Sequence, residues 1–527
     1  MKTARVVETD CLIVGSGLAG SRAALAAAEK GIRVLVVSQG KTFSGSSFYP
    51  GTWGFGLVGP EDEEDVGNFV ETILDVGKNI PDRNLVQAFV EAINPTVDEL
   101  ESRGLELLKP TPGHEKDSTY IPCFDRKHRR WRGLTKEKVK AFFQREFERN
   151  KIETLEDTEI LELSENDGRI TGAFGRTLNN ELLYFSASSV ILATGGLGGL
   201  YRHKLTTSDV LGTGLGLALR HGARGINTEF MQIMLGFSRP APKTIFNEKT
   251  YEAAVFRNGE GERVIPMLLP EGIMEGEVLH ARSQHGPFTA SRLGKYVDLA
   301  LFRASMKSPE QAVHLQYDLE KLEHQEFTKV YFDWLKKEKG VSPEEEIQVR
   351  LYMHASNGGI AIDEKAYTGV PGLYAAGECT GGMHGADRIG GLATASALVF
   401  GKIAGEEAAK RGRNWGKTLS PELPGLRIPQ AQERRRVIQE KMSEDAFLLR
   451  EEKALNTLEE TLKTWEGETM EEPNLTVSEA AESLRLVNLM VSARHVLKAM
   501  AQRPHSLGSH YREDDPGDLK GEKDDYR

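Results

Sequence analysis

Three glycines near the N-terminus are spaced for phosphate chemistry. Gly15, Gly17 and Gly20 form GxGxxG within LIVGSGLAG at 12–20. In such a turn the first glycine permits the tight bend, the second lets backbone approach a pyrophosphate, and the third packs helix on strand. A second candidate is Ala193-Thr194-Gly195-Gly196, where an apolar run at 189–192 meets two glycines. Glycine is also abundant overall: 54 of 527 residues, about 10% against a usual ~7%. The glycines gather at 15–20, 51–59, 194–216 and 358–391. Four clusters so far apart suggest one large ligand held by several loops, with ordinary turns as the alternative. A dense basic run holds Arg126, Lys127, His128, Arg129, Arg130 and Arg132. It reads as a solvated face, with contact to a ligand or partner as the alternative.

The elements that must position these residues follow from the pattern. The segment 10–14 is a short buried strand, SRAALAAAEK at 21–30 is rich in helix formers, Gly31 stops that helix, and IRVLVV at 32–37 is a second strand. This βαβ context is what GxGxxG requires for dinucleotide binding. The second strand ends in Ser38, where an NAD site would carry Asp or Glu. A hydroxyl can still hydrogen-bond a ribose. Residues 61–150 read as mainly helical, for example 84–103, and 152–185 as short strands with turns at Asn166-Asp167-Gly168 and Asn179-Asn180. A strand at 189–194 runs into the second glycine pair. The α/β pattern lapses over 239–353, returns at 358–363 and 372–378, and leads to a helix at 392–411. Leu455, Leu458 and Leu462, then Leu484, Val487 and Val491, fall at helical spacing. The chain from about Gly508 is polar and reads as extended.

Composition excludes several classes. Hydrophobic residues are 39% and charged residues 28%, which fits a folded globular chain. Lys+Arg is 67 and Asp+Glu is 78, net −11, so no nucleic-acid partner is expected. A local basic pocket for a small anion remains open. No apolar run reaches the ~18 residues of a transmembrane segment. The three cysteines, Cys11, Cys123 and Cys379, form no CxxC, so no metal site, disulfide framework or resident iron–sulfur cluster is expected. The simplest compartment is the cytoplasm. Cys379 reads as a small buried hydrophobe.

Taken in order, eight segments resemble the succinate dehydrogenase/fumarate reductase flavoprotein subunits and L-aspartate oxidase. They are LIVGSGLAG at 12–20, SGSSFYPGTWG at 44–54, VILATGG at 190–196, GLGLALRHGARGINTEFMQ at 214–232, HASNGGIAID at 354–363, GLYAAGEC at 372–379, HGADRIGG at 384–391 and HYREDDP at 510–516. The resemblance spans nearly the whole chain. It implies an α/β fold: a Rossmann-like FAD-binding domain (1–238 and 354–412), an inserted capping domain (239–353) and a C-terminal helical domain with a polar tail (413–527). It implies an FAD-dependent oxidoreductase that moves hydride between flavin N5 and an organic acid or enoate. For FAD it implies Gly15, Gly17 and Gly20 at the pyrophosphate, Ser38 and Lys41 near the adenosine ribose, and Ser46, Ser47 and Gly54 along the flavin. Ala193, Thr194 and Gly195 would touch the adenosine side and Glu378 the ribityl chain. For Glu378 a helix N-terminal acid held by the dipole is the alternative. Dehydrogenase-type members attach FAD through a His at the position of Ser47, so non-covalent FAD is expected here.

The same resemblance assigns the reacting groups and shows where they change. His354 matches a His that binds a substrate carboxylate, and Arg388 matches an Arg that clamps one. A satisfied buried His and a structural ion pair are the respective alternatives. The family's QxHPT is Gln232-Ile-Met234-Leu-Gly236 here, its PRD is Pro287-Phe288-Thr289, and its RGEG is Asn258-Gly-Glu260-Gly with Arg257 beside it. Its NSL is Leu392-Ala393-Thr394, and the Asp of its GDG is Leu215. Arg292 or Arg282 is the candidate replacement for the acid/base Arg. These changes remove polar groups from a dicarboxylate pocket and add apolar ones, which suggests a larger or less charged substrate with one carboxylate on Arg388. Two alternatives remain: an aspartate oxidase or fumarate reductase with rearranged residues, and an electron-relay flavoprotein within a larger complex. An iron–sulfur partner subunit would have to supply any cluster.

Overall fold

The computed structural model describes residues 5–52, 54–109, 127, 129–322, 326–411, 422–515 and 517. Cys123, Arg126, His128 and Pro516 lie outside the described residues. The central sheet runs, in order, Glu153–Leu155, Val34–Val37, Arg5–Val14, Leu182–Leu192, Arg169–Thr177 and Thr158–Asn166, and Leu373–Ala375 also pairs with Leu182–Leu192. The first four strands and Leu373–Ala375 are mutually parallel, whereas the last two form an antiparallel flap. Parallel strands are covered on both faces, so their apolar runs are continuous. Cys11, Leu12 and Ile13 are fully buried accordingly. The two strands expected before and at 189–194 are one strand, Leu182–Leu192. Its N-terminal half pairs with the flap while nearly its whole length pairs with Arg5–Val14. The helix Leu18–Ala28 follows the first strand and packs on Leu392–Ala409.

A second, antiparallel sheet orders Met231–Arg239, Ile347–Ser356, Val313–Tyr317 and Ala254–Arg257. With the helices Glu275–Ser283 and Lys295–Lys307 it forms the capping domain. Its sheet begins at Met231, before residue 239, because that strand pairs along Ile347–Ser356. The C-terminal part is helical over Ala431–Asp445, Glu452–Gly467 and Val477–Gln502. Leu455, Leu458, Leu462, Leu484 and Val487 are buried there, as their spacing requires. The fold is α/β with a capping domain and a C-terminal helical domain.

Among the described residues of the basic run, Lys127 is exposed, but Arg129, Arg130 and Arg132 are not a solvated face. Arg129 is buried, bonds Asp65 at 2.5 Å and lies 4.5 Å over the Phe69 ring. Arg130 pairs with Asp98, and Arg132 lies 3.6 Å from Glu101. These three arginines fasten the strand Arg130–Leu134 to the helices Asp65–Val76 and Arg83–Ser102, whose acids neutralise them.

Candidate active site

The parallel strands end together at one cavity of about 460 Å³. Val14, Val37, Ala193 and Ala376, each at or just beyond a strand's C-terminal end, line it. This is where open α/β sheets bind ligands. The floor at one end is backbone. Gly15 has φ +110°, and a Cβ there would stand 2.2 Å from the Ala193 oxygen. A Cβ on Gly20 would stand 1.9 Å from the Gly15 oxygen. Both glycines are therefore fixed by packing of the turn on the neighbouring strand and helix. Gly17 differs. It caps the helix Leu18–Ala28 with no side-chain partner, and a Cβ there would meet only Ser47 Oγ at 3.5 Å and the Ser44 carbonyl oxygen at 3.9 Å. Protein packing leaves that space open, directly in front of a helix N-terminus suited to an anion.

The other expected cofactor residues divide in two. Gly15, Gly17, Ser38, Ser46, Ser47, Gly54, Ala193, Thr194, Gly195 and Glu378 all line the cavity, and Gly20 lies just beneath it. Ser38 Oγ is 2.9 Å from Ser16 Oγ, and Ser47 Oγ accepts the Leu18 N–H at 3.2 Å. Glu378 accepts the Ser356 N–H at 3.0 Å, and burial raises its carboxyl above the usual range. Lys41 stands outside the lining. Its ammonium is exposed and bonds Asp157 at 2.5 Å and Glu156 at 3.3 Å. Cys379 is buried behind Glu378, and desolvation pushes its thiol up to about 11. A trough with an open helix N-terminus, hydroxyls beyond the second strand and a buried acceptor midway fits an extended FAD.

The opposite end is built of side chains. His354 comes from the cap strand Ile347–Ser356, and Arg388 from the loop before the helix Leu392–Ala409. Each keeps part of its surface open to the cavity. Arg388 Nη2 donates to Gln232 Oε1 at 2.6 Å, which aims the guanidinium, and burial lowers it to about 10 with Glu378 opposing. The Nδ1 of His354 is buried without a partner, and desolvation then Arg388 push that ring down to about 4. The residue that motif reasoning passed over is His384. It is 6% exposed, lines the cavity four residues before Arg388, and its Nδ1 is also buried without a partner. Burial and Arg388 hold it well below an ordinary imidazole. Its signal was a polar ring inside HGADR, the segment that carries Arg388.

Met234, Gly286 and Pro287 flank these groups, and Trp131 and Phe55 also line the cavity. Arg388 is the single Lys or Arg among the described lining residues. Neither Arg282 nor Arg292 joins it. Arg282 is buried, bonds Asp298 at 2.6 and 3.2 Å, and donates to the carbonyls of His285 and Gly286, so it shapes the loop beside Pro287. Arg292 lies outside the lining, where its charge acts on His285 and Asp387. Phe288, expected as a pocket wall, is fully buried in the core and meets Tyr511 edge-on, because its neighbour Pro287 takes the cavity side. Leu215 is core, and Glu260 sits on an exposed turn away from the lining.

Comparison with known proteins gives the family. A family model described as an FAD binding domain matches residues 10–393, and one described as the fumarate reductase flavoprotein C-terminus matches 435–526. The chain belongs to the fumarate reductase/succinate dehydrogenase flavoprotein and L-aspartate oxidase family. It is an FAD-dependent oxidoreductase of that type. It is 29% identical to one of the subunits of the CoM/CoB fumarate reductase of Methanothermobacter marburgensis, over 97% of this chain and 95% of that protein. It is 27% identical to an L-aspartate oxidase of Halobacterium salinarum, over 96% and 97% respectively. Among solved structures, FrdA of the E. coli quinol fumarate reductase superposes with a TM-score of 0.75 at 22% identity, covering 97% of this chain and 92% of FrdA. Sdh1 of Mycobacterium smegmatis gives the same TM-score at 23% identity, covering 97% and 90%. The flavin of this family is FAD, and the trough described above has the shape and groups to fit it.

Proposed function

We propose that this oxidoreductase acts on an organic acid or enoate that presents one carboxylate, and that the acid is held by Arg388 with His354 and His384 beside it. One observation carries the reading: Arg388 is the only cationic side chain among the described lining residues, and Met234 and Pro287 line the same end. Bound FAD supplies hydride transfer at N5. The chain's own groups orient the acid. Arg388 offers a charge-assisted, two-pronged contact to one carboxylate. The two neutral rings offer hydrogen bonds without adding charge. A second carboxylate would meet Met234 and Pro287 unpaired, at a cost of about several kcal/mol. Water exclusion falls to Pro287, Trp131 and Phe55.

Three finer features belong to the same reading. FAD is held without a covalent bond, since Ser47 offers a hydroxyl that already accepts from Leu18. Lys41 and Arg292 serve FAD and substrate only at a distance, if the cavity keeps its present lining. An electron-transfer partner, of iron–sulfur type, is supported by the full-length match to a relative whose name makes it one component of a multi-subunit fumarate reductase. A cytoplasmic setting is supported by Cys11 and Cys379, both buried and free. No helix among the described residues is long and apolar enough to cross a membrane.

The test is anaerobic. Acid precipitation should leave all yellow colour in the supernatant. Flavin reduced with dithionite should be reoxidised by crotonate and at most slowly by fumarate. Rapid reoxidation by fumarate alone would replace this reading with an ordinary fumarate reductase.

A further inference from the structure

Three distant segments meet behind the clamp arginine. The loop 386–388 carries Arg388, the cap loop 287–291 carries Pro287, and the C-terminal segment 507–510 lies between them. Asp387 Oδ2 accepts from Thr289 Oγ1 at 2.8 Å, and Asp387 is 7% exposed. The Ala290 N–H donates to the Gly508 carbonyl at 2.6 Å, and the Gly508 N–H donates to Ser291 Oγ at 3.0 Å. Ser509 donates twice to the Ala386 carbonyl, from its N–H and its hydroxyl, each at 3.0 Å. Gly508 has φ +53°, and a Cβ there would stand 2.6 Å from the Ala386 oxygen, so the segment is seated as closely as backbone allows.

The segment is itself anchored. Leu507 and His510 exchange backbone hydrogen bonds at 2.8 and 3.0 Å. Arg450 donates to His510 Nδ1 at 2.6 Å, which leaves the His510 Nε2–H to donate to the Arg503 carbonyl at 3.0 Å. Arg450 also donates to the Glu229 carbonyl at 2.8 Å. The C-terminal helical domain therefore holds the segment, and the segment holds both walls of the reacting end.

We propose that Asp387 is a positioning residue and that, with Thr289 and the segment 507–510, it forms a joint fixing Arg388 against the capping domain. The proposal rests on Arg388 being the carboxylate clamp. Asp387 does not line the cavity. It acts by tethering the residue next to it. Burial pushes its carboxyl up to about 7, against the Thr289 hydrogen bond and the charges of Lys78 and Arg292. Without the Thr289 hydroxyl this buried acid loses a partner, and the loop has reason to shift.

The experiment uses the FAD-loaded enzyme with reduced methyl viologen as donor and crotonate as acceptor. Thr289→Val should raise KM for crotonate about tenfold with kcat within about twofold, the loss of one hydrogen bond to a charged group. Thr289→Ser should restore KM to within about twofold. Asp387→Asn, which keeps an acceptor, should fall between them. A second readout needs no acceptor: amide hydrogen exchange in 288–291 and in 507–510 should rise together in Thr289→Val and not in Thr289→Ser. Unchanged exchange, or a rise confined to 288–291, would overturn the joint. If wild type turns over no monocarboxylate, the substrate reading fails, and the exchange data still decide the joint.

Discussion

The two ends of the cavity are built by different means. The cofactor end is mostly backbone: carbonyl oxygens and N–H groups brought close by Gly15, Gly17 and Gly20, with a few hydroxyls. The reacting end is side chains from separate segments: Met234, Pro287, His354, His384 and Arg388. The first end depends on residues that lack a side chain, so almost any change there is steric. The second depends on the identity of each side chain, so it can be respecified one residue at a time. A family can keep one end and vary the other.

This contrast is easiest to break at Gly20. Gly20→Ala puts a methyl 1.9 Å from the Gly15 oxygen, a contact that only backbone movement relieves. The expected result is protein that purifies with less than about a tenth of its flavin, read from the absorbance ratio. Full flavin content would show that the turn is looser than described. At the other end, Arg388→Ala should leave flavin content unchanged and lower kcat/KM for crotonate about 10²–10³-fold, as expected for losing one partner of a buried charge pair. A parallel loss of flavin would merge the two ends into one.

Acid–base behaviour sharpens the comparison further. Arg388 is pushed down to about 10, so it is cationic at neutral pH and loses its proton as pH rises through about 10. Carboxylate binding should hold steady from about pH 8, above the titration of Asp387 at about 7, to about 9, and weaken about tenfold per unit above 10. His354, held at about 4, is already neutral across that range and adds no step of its own. A step near 7 in log(kcat/KM) that persists in Asp387→Asn would mean one of the rings is charged in the working enzyme. The smallest effect is a gain. Met234→His returns the family's ring to the pocket and should raise fumarate reduction relative to crotonate about tenfold, leaving flavin binding alone.

The same division decided what could be read from sequence. Gly15 and Gly20 announce themselves because sterics admit one residue type, and the βαβ context around them settles the fold. Ser38, Ser46, Ser47 and Glu378 followed from order along the chain and line the cavity. Lys41 did not, because Glu156 and Asp157, over a hundred residues later, draw its ammonium outward. The reacting end was half visible. His354 and Arg388 stand in motifs, but His384 became recognisable only once its unpartnered ring was seen facing the same cavity. Arg282 looked available until Asp298 was found 2.6 Å away. Pro287 and not Phe288 faces the cavity, a matter of local backbone direction that residue type does not encode.

The central claim is that one carboxylate is recognised and a second is refused. Fumarate and its monomethyl ester differ by one charge at nearly constant shape. With reduced methyl viologen as donor, the account predicts a kcat/KM for the monoester at least about tenfold above that for fumarate, the cost of an unpaired buried carboxylate. A preference for fumarate of similar size would contradict it and require a second cationic group at Met234 and Pro287.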